Sequence, residues 1–356
     1  HLHFTGAMRP QTLVDMAQEK GTRLPPHLLD LDPLTVPADA RGWFRFQRSY
    51  DAARHLVRSE ESMRRIVREA AEDEAAEGSV RLEIQVDPTS YAPWVGGITP
   101  ALEIVLDEAK FASARTGVEV VVIVAASRMR HPLDARTLAR LAARYAGDGP
   151  GEVVGFGLSN DERMGQTSAF SAAFGIARRA GLAALPHGGE LLGPESVREV
   201  VTSLNPHRLG HGVRTSEDLE LLDRLIEAGI AFEVCPTSNV HLGVYQDFGS
   251  VPLPLLMGRG ATIALMIPFS STRVCSNSMR MPARCSPYRI LSSPTWRANQ
   301  SRLHLPRSPR NAGGTPESKN GYPEKHPSLV SRCDPACSEA RDPACGGRRL
   351  GTHPTT

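Results

Sequence analysis

Pro186-His187-Gly188-Gly189-Glu190 is the stretch of this sequence best equipped for chemistry, with an imidazole and a carboxyl three residues apart and two glycines between them. Gly181 to Leu185 reads as a short apolar strand and Pro194 to Leu204 as a helix, so the pair stands at a strand end, placed to hold a metal ion and move a proton. Taken alone, the cluster also suits a histidine satisfied beside a glycine turn. Three more clusters shift that balance. His1 and His3 point to the same side of an extended strand and can bind one ion together. His211 lies in Arg208-Leu209-Gly210-His211-Gly212, and Cys235-Pro236-Thr237-Ser238-Asn239 follows another apolar run. Such groups at several strand ends of one fold point to a metal centre.

The elements that must position them alternate along the chain. Strands are expected at the His1–Phe4 end, 80–86, 118–125, 152–158, 181–187, 208–211, 230–235 and 261–265. Helices are expected over 9–20, 41–57, 60–77, 99–116, 132–145, 168–180, 194–204, 216–228 and 251–259, with Ser59 as an N-cap and Pro100 in a first turn. Eight strands alternating with helices suit a (β/α)8 TIM barrel, whose functional residues gather at the C-terminal strand ends. A doubly wound sheet is the alternative, but no G-x-G-x-x-G turn follows an early strand.

The 356 residues carry a formal charge of +2, which hides an asymmetry: residues 266–356 hold 14 Lys+Arg against 5 Asp+Glu, so an acidic body precedes a basic tail. That tail is rich in Ser, Pro, Arg and Gly and is read as disordered, a separate region from the barrel of residues 1–265. Its few aromatics are not interleaved with the charge, which disfavours nucleic-acid binding. Only Cys235 lies in the body, so no disulfide framework is expected. No apolar run approaches the roughly 20 residues of a membrane span, and a soluble cytoplasmic protein is expected. The chain starts at His1 rather than methionine and is read as cut at its N-terminus.

His1-Leu2-His3-Phe4-Thr5-Gly6, Ser159-Asn160-Asp161-Glu162, His187-Gly188-Gly189-Glu190, Arg208-Leu209-Gly210-His211-Gly212 and Cys235-Pro236-Thr237-Ser238-Asn239 resemble the ordered motif set of the adenosine/AMP deaminase family of amidohydrolases, over residues 1–265. The resemblance implies a barrel holding one zinc ion, which hydrolyses the 6-amino group of a purine nucleoside such as adenosine with release of ammonia. It implies His1, His3 and His187 as zinc ligands. His211 would orient the attacking water and take its proton, and Glu190 would protonate purine N1, a role that needs a carboxyl kept protonated by burial. His3, Thr5, Asn160 and Gly189 would contact the substrate, the Asn160 backbone lying against the purine N3 edge. Two positions depart from the family. Thr5 stands where an aspartate often holds the ribose 5′-hydroxyl, which leaves open a modified nucleoside of the aminodeoxyfutalosine type, and Asn160 stands where glycine is usual. The zinc deaminases with a Pro-Cys-x-x-Cys signature do not match, because Cys235 has no partner at that spacing.

A larger departure comes at the eighth strand, where the family places Asp-Asp, the first for zinc and the second for purine N7. Here Ala264-Leu265 runs into Met266-Ile267-Pro268-Phe269, and no acidic residue follows until Glu317. Methionine is encoded only by ATG and every isoleucine codon begins AT, so the frame starting at the third base of Met266 reads GAT, aspartate. With permitted codons that frame gives Asp-Asp-Pro-Leu-Leu-Phe from Leu265, so residues 266–356 are read as an out-of-frame translation and the chain as impaired. On this reading Cys333-Asp334-Pro335-Ala336-Cys337 is a chance product and not a second metal site. Trp43, Phe44 and Phe46 are candidates for an apolar lid over the purine. The reading from another class is a non-catalytic purine-binding protein with a basic tail, and the sequence does not fix an oligomeric state.

Overall fold

Between Glu119 and Ser127 the chain has no polar residue, so a strand built there must be covered on both faces. In the computed structural model, which describes residues 2–25, 28 and 36–265, this run is the third strand of one eight-stranded, all-parallel sheet. The strands β1 (Leu2–His3), β2 (Arg81–Val86), β3 (Glu119–Ser127), β4 (Val153–Ser159), β5 (Ala183–Gly188), β6 (Arg208–His211), β7 (Ala231–Val234) and β8 (Ile263–Leu265) neighbour one another in chain order. Helices α1 (Pro10–Glu19), α2 (Ala40–Arg54) and α3 (Glu60–Ala76) separate β1 from β2. Next come α4 (Ala92–Val95) and α5 (Ile98–Thr116), then α6 (Pro132–Arg144), α7 (Ser171–Arg179), α8 (Pro194–Leu204) and α9 (Leu219–Glu227), one per crossover. The pair α10 (Pro236–His241) and α11 (Leu253–Gly258) leads into β8.

The alternation of side chains assigns the two faces. On β3, Val120, Val122, Val124 and Ala126 join the apolar layer between sheet and helices, while Val121, Ile123 and Ala125 are equally buried on the other face. That other face is the inside of a curled sheet, as two contacts demonstrate. Arg208 on β6 bonds Glu83 on β2, and His3 on β1 stands 3.2 Å from His187 on β5, Nε2 to Nε2. Each pair lies four strands apart, about 19 Å across a flat sheet. Only a sheet wrapped around an axis brings them together. The architecture is that of a (β/α)8 barrel wall, described as far as Leu265; among the described residues no ladder joins β8 to β1.

Below the histidines the interior is filled by charge. Arg208 reaches Glu83 and, at 2.8 Å, the buried Glu233 on β7, while Arg81 pairs with Glu83 at 3.3 Å and Glu119 at 2.8 Å. Burial works against the Arg208 charge, yet the two facing carboxylates raise its pKa above the ordinary guanidinium value.

Boundaries follow local chemistry. The helix expected to begin at Ser216 begins at Leu219, because the Asp218 carboxylate takes the Leu221 N–H at 2.9 Å; the residues before it, Val213–Glu217, form a 3-10 turn. The short helix α10, opening with Pro236, was not expected from the sequence, where the Cys235–Asn239 stretch reads only as a strand-end motif. No helix among the described residues is long and apolar enough to cross a membrane. His1, the tail 266–356 and its cysteine motif lie outside the described residues.

Candidate active site

His3 ends β1, His187 lies one residue from the end of β5 and His211 ends β6, so all three stand at one rim of the barrel wall. Ring centroids are 5.2 Å apart for His3 and His187, and 5.5 Å for His187 and His211. This approach needs a glycine at 210, where a Cβ would stand 2.8 Å from the His187 ring. His211 has φ 63°, a left-handed conformation that costs a non-glycine residue on the order of 1–3 kcal/mol and is characteristic of functional sites. Its Nε2 faces Glu190 Oε1 at 3.2 Å, and its Nδ1 meets the Asn239 amide nitrogen at 3.3 Å. The Gln85 amide nitrogen lies 3.3 Å from His3 Nδ1 in the same manner. Each amide can turn to bring its oxygen, which has no other partner, to the ring Nδ1–H, the acceptor that supports a metal-site histidine and frees its Nε2 lone pair.

Burial sets the protonation states. Burial first, and the charge of a neighbouring histidine second, lower the pKa of His3, His187 and His211 from 6.5 to about 3. All three rings are neutral at pH 7 and present lone pairs. Glu190 moves the other way, up to about 8, first through burial and then through the charges of Glu162 and Asp161, against the pull of Arg128 and Arg163. A carboxyl with that value holds its proton at neutral pH.

The histidine shifts make acid a denaturant. Each pKa is lower in the folded state than in the unfolded chain, so the stability gained is complete above about pH 6.5 and is lost as pH falls toward 3. The loss approaches ~1.4 kcal/mol per pH unit for each histidine. Urea melts of the metal-stripped protein are expected to show a midpoint falling steeply below pH 6.5; a flat profile would contradict these assignments.

The residues present fit a metal ion. Two nitrogens bound to one tetrahedral ion at about 2.0–2.1 Å stand roughly 3.3 Å apart. The 3.2 Å between His3 and His187 Nε2 matches. Among the described residues no group of three or more His, Cys, Asp or Glu stands at metal-binding spacing, and His1, the third expected ligand, lies outside them.

The other expected contacts are distributed unequally. Thr5 is buried, its hydroxyl 2.6 Å from the Tyr91 hydroxyl and also bonded by Tyr50 of α2. Asn160 has φ 82°, which explains why a residue with a short polar side chain can stand where glycine is usual; its Oδ1 accepts the Asp161 N–H at 2.9 Å. Gly189 follows His187 and Gly188 into the loop that carries Glu190. On α2, Trp43 stacks near Phe46 at 5.7 Å and Phe46 near Tyr50 at 6.4 Å, while Phe44 is 62 % exposed. The helix is bolted to the turn after β1 through Tyr50 and Thr5.

Two buried charged residues that bond the segment from His187 to Leu192 are given no role by the sequence. Arg128, just past β3, donates to the His187 carbonyl at 2.8 Å and to the Thr167 hydroxyl at 2.9 Å. Glu162, the last residue of the Ser159–Glu162 motif, faces the backbone of residues 189–192. The motif marked Glu162 as notable, but nothing in the sequence marked Arg128 beyond a charge directly after an apolar run.

A family model described as Adenosine deaminase matches residues 1–267. A Streptomyces virginiae protein provisionally named adenosine/adenine deaminase is 57% identical over 266 residues, covering 74% of this chain and 78% of that relative. An adenine deaminase of Agrobacterium fabrum is 34% identical over 74% of this chain and 79% of its own length. Among solved structures, an adenine deaminase from Arthrobacter aurescens superposes with a TM-score of 0.65 at 25% identity, covering 74% of this chain and 79% of that one. An amidohydrolase from Burkholderia ambifaria with bound zinc gives a TM-score of 0.63 at 26% identity, covering 75% and 73%.

Proposed function

Because the chain belongs to the adenosine deaminase family, hydrolases that act on C–N bonds, we propose that its site is built to replace the 6-amino group of a purine by oxygen, with release of ammonia. The observation that carries this reading is Glu190, a buried carboxyl protonated at neutral pH and set 3.2 Å from a neutral His211. His1, His3 and His187 would hold one zinc ion, in line with the Nε2 spacing and with the zinc in the Burkholderia relative. Zinc bound there supplies Lewis acidity and brings the pKa of a water toward ~7. Glu190 donates its proton to the ring nitrogen beside the amino group, which makes C6 electrophilic. His211, neutral and with its Nδ1–H given to the Asn239 amide oxygen, accepts at Nε2 a hydrogen bond from the attacking water and aligns it. Asn160 and Gly189 present backbone to the edge of the base.

The substrate side favours a small 6-aminopurine. The Thr5 hydroxyl is committed to Tyr91 and Tyr50 and offers no carboxylate to a ribose 5′-hydroxyl, and relatives at 34% identity are named adenine deaminases. Adenine and adenosine are therefore the two substrates to compare. The chain as it stands is impaired, because β8 ends in Ala264-Leu265 and the following sequence supplies no carboxylate before Glu317. Zinc content by mass spectrometry, with purine turnover followed by ultraviolet absorbance, tests the assignment. An intact fold that holds no zinc and turns over neither purine, in this chain and in its form with aspartates at the end of β8, would sink it.

A further inference from the structure

The loop between β5 and α8 carries four consecutive backbone N–H groups, at Gly189, Glu190, Leu191 and Leu192, that all point at one side chain. Glu162 Oε1 accepts from Gly189 at 2.7 Å and from the Ser196 hydroxyl on α8 at 2.7 Å. Its Oε2 accepts from Glu190 at 3.0 Å, Leu191 at 2.8 Å and Leu192 at 3.0 Å. Consecutive amides converge in this way only where the backbone curls into a cup, the arrangement that elsewhere cradles a phosphate. Here the anion is part of the chain. Glu162 is 4% exposed, so the cup is filled from below and closed to solvent. Gly189, with φ 71°, supplies the left-handed residue that the curl needs. Arg128 grips the same loop from its entry side through the His187 carbonyl.

We propose that Glu162 is a positioning residue for Glu190: its carboxylate clamps the loop that carries the acid and places a like charge behind it, a role that rests on reading Glu190 as the proton donor. Loss of the carboxylate would leave several buried N–H donors without an acceptor, which a substitution elsewhere in the loop would not do. The charges acting on Glu190 are those of Glu162 and Asp161, which favour its protonated form, and those of Arg128 and Arg163, which oppose it, with neutral His211 3.2 Å away. Asp161 is tied to Arg163 at 2.8 Å, so its charge is locally offset, and Glu162 is the carboxylate with the strongest effect on Glu190.

Two readouts on the full-length protein separate the clamp from the acid. Amide hydrogen exchange is expected to show residues 189–192 protected in the wild type although they lie in a loop. Both Glu162→Gln and Glu162→Asp should lower that protection by at least about tenfold while β3 stays protected. Carbon NMR of glutamate labelled at the carboxyl, with Glu190 assigned from Glu190→Gln, should place its titration near 8 in the wild type and lower in Glu162→Gln. The shift should be smaller in Glu162→Asp, which keeps the charge and breaks the clamp. Open-loop exchange at 189–192 in the wild type would overturn the clamp whether or not either variant folds. Variants that fold and leave both exchange and titration unchanged would overturn the proposal entire. Protected amides with Glu190 titrating like an ordinary glutamate would overturn the acid reading and the electrostatic half of the proposal, with the clamp standing.

Discussion

Placing aspartates at 265 and 266, through Leu265→Asp and Met266→Asp with the family's following sequence, is expected to raise zinc retention and purine deamination by at least about 10²-fold. In the β7–β8 ladder Ala264 pairs with Glu233 and Leu265 with Val234, which puts position 265 at the C-terminal end of β8. That is the end at which His3, His187 and His211 gather on their own strands. Residues that merely orient metal ligands are worth 10–100-fold in affinity, so a missing ligand costs at least as much. Chelator competition and turnover of adenine and adenosine, compared between the two forms, check the expectation; equal values in both would remove the case for impairment. Sequencing the coding region across codons 260–270 asks the same question of the gene, since a shifted frame without two consecutive aspartate codons would end the frameshift explanation.

In that restored background, Glu190→Gln is expected to lower kcat by about 10²–10⁴-fold with zinc content unchanged. Glutamine keeps the size and one hydrogen-bonding group but has no proton to give. The pH profile carries the sharper signature. Glu190 works in its protonated form, and its pKa stands near 8, so activity should hold on the acid side of that value and fall as pH rises through it. The variant should lose this basic limb. A basic limb that survives the substitution would assign the ionisation to another group.

How much of this was legible beforehand depends on the range of the interaction. The eight strands read well because each is a local pattern: the short apolar run in β3, for example, is rich in β-branched residues and so favours a strand covered on both faces. That His3, His187 and His211 gather was legible for a related reason, since each stands at the end of a strand and the strand ends of a barrel share one rim. The roles of Glu162 and Arg128 escaped because the partners that tie them to the strand end and loop bearing Glu190 are backbone atoms 27 to 30 and 59 residues away, and a backbone N–H or C=O leaves no residue type to recognise. The left-handed turn at His211 escaped too, since nothing in Gly-His-Gly says which residue takes the positive φ. The start of α9 was misplaced by three residues because Ser216 and Asp218 are both good caps, and geometry chose the second.

The charged filling under the site bears on how such a barrel can change over generations. Glu83, Arg208 and Glu233 come from β2, β6 and β7, and each answers a charge carried by another. Removing Arg208 takes from both carboxylates the cation they share, a loss of about 3–5 kcal/mol, whereas exchanging the whole set for apolar residues of matched volume is often neutral. The three positions are thereby coupled as a unit of inheritance. Single-step loss of the arginine crosses a deep valley, and a lineage reaches an apolar interior most readily by altering distant parts of its gene together.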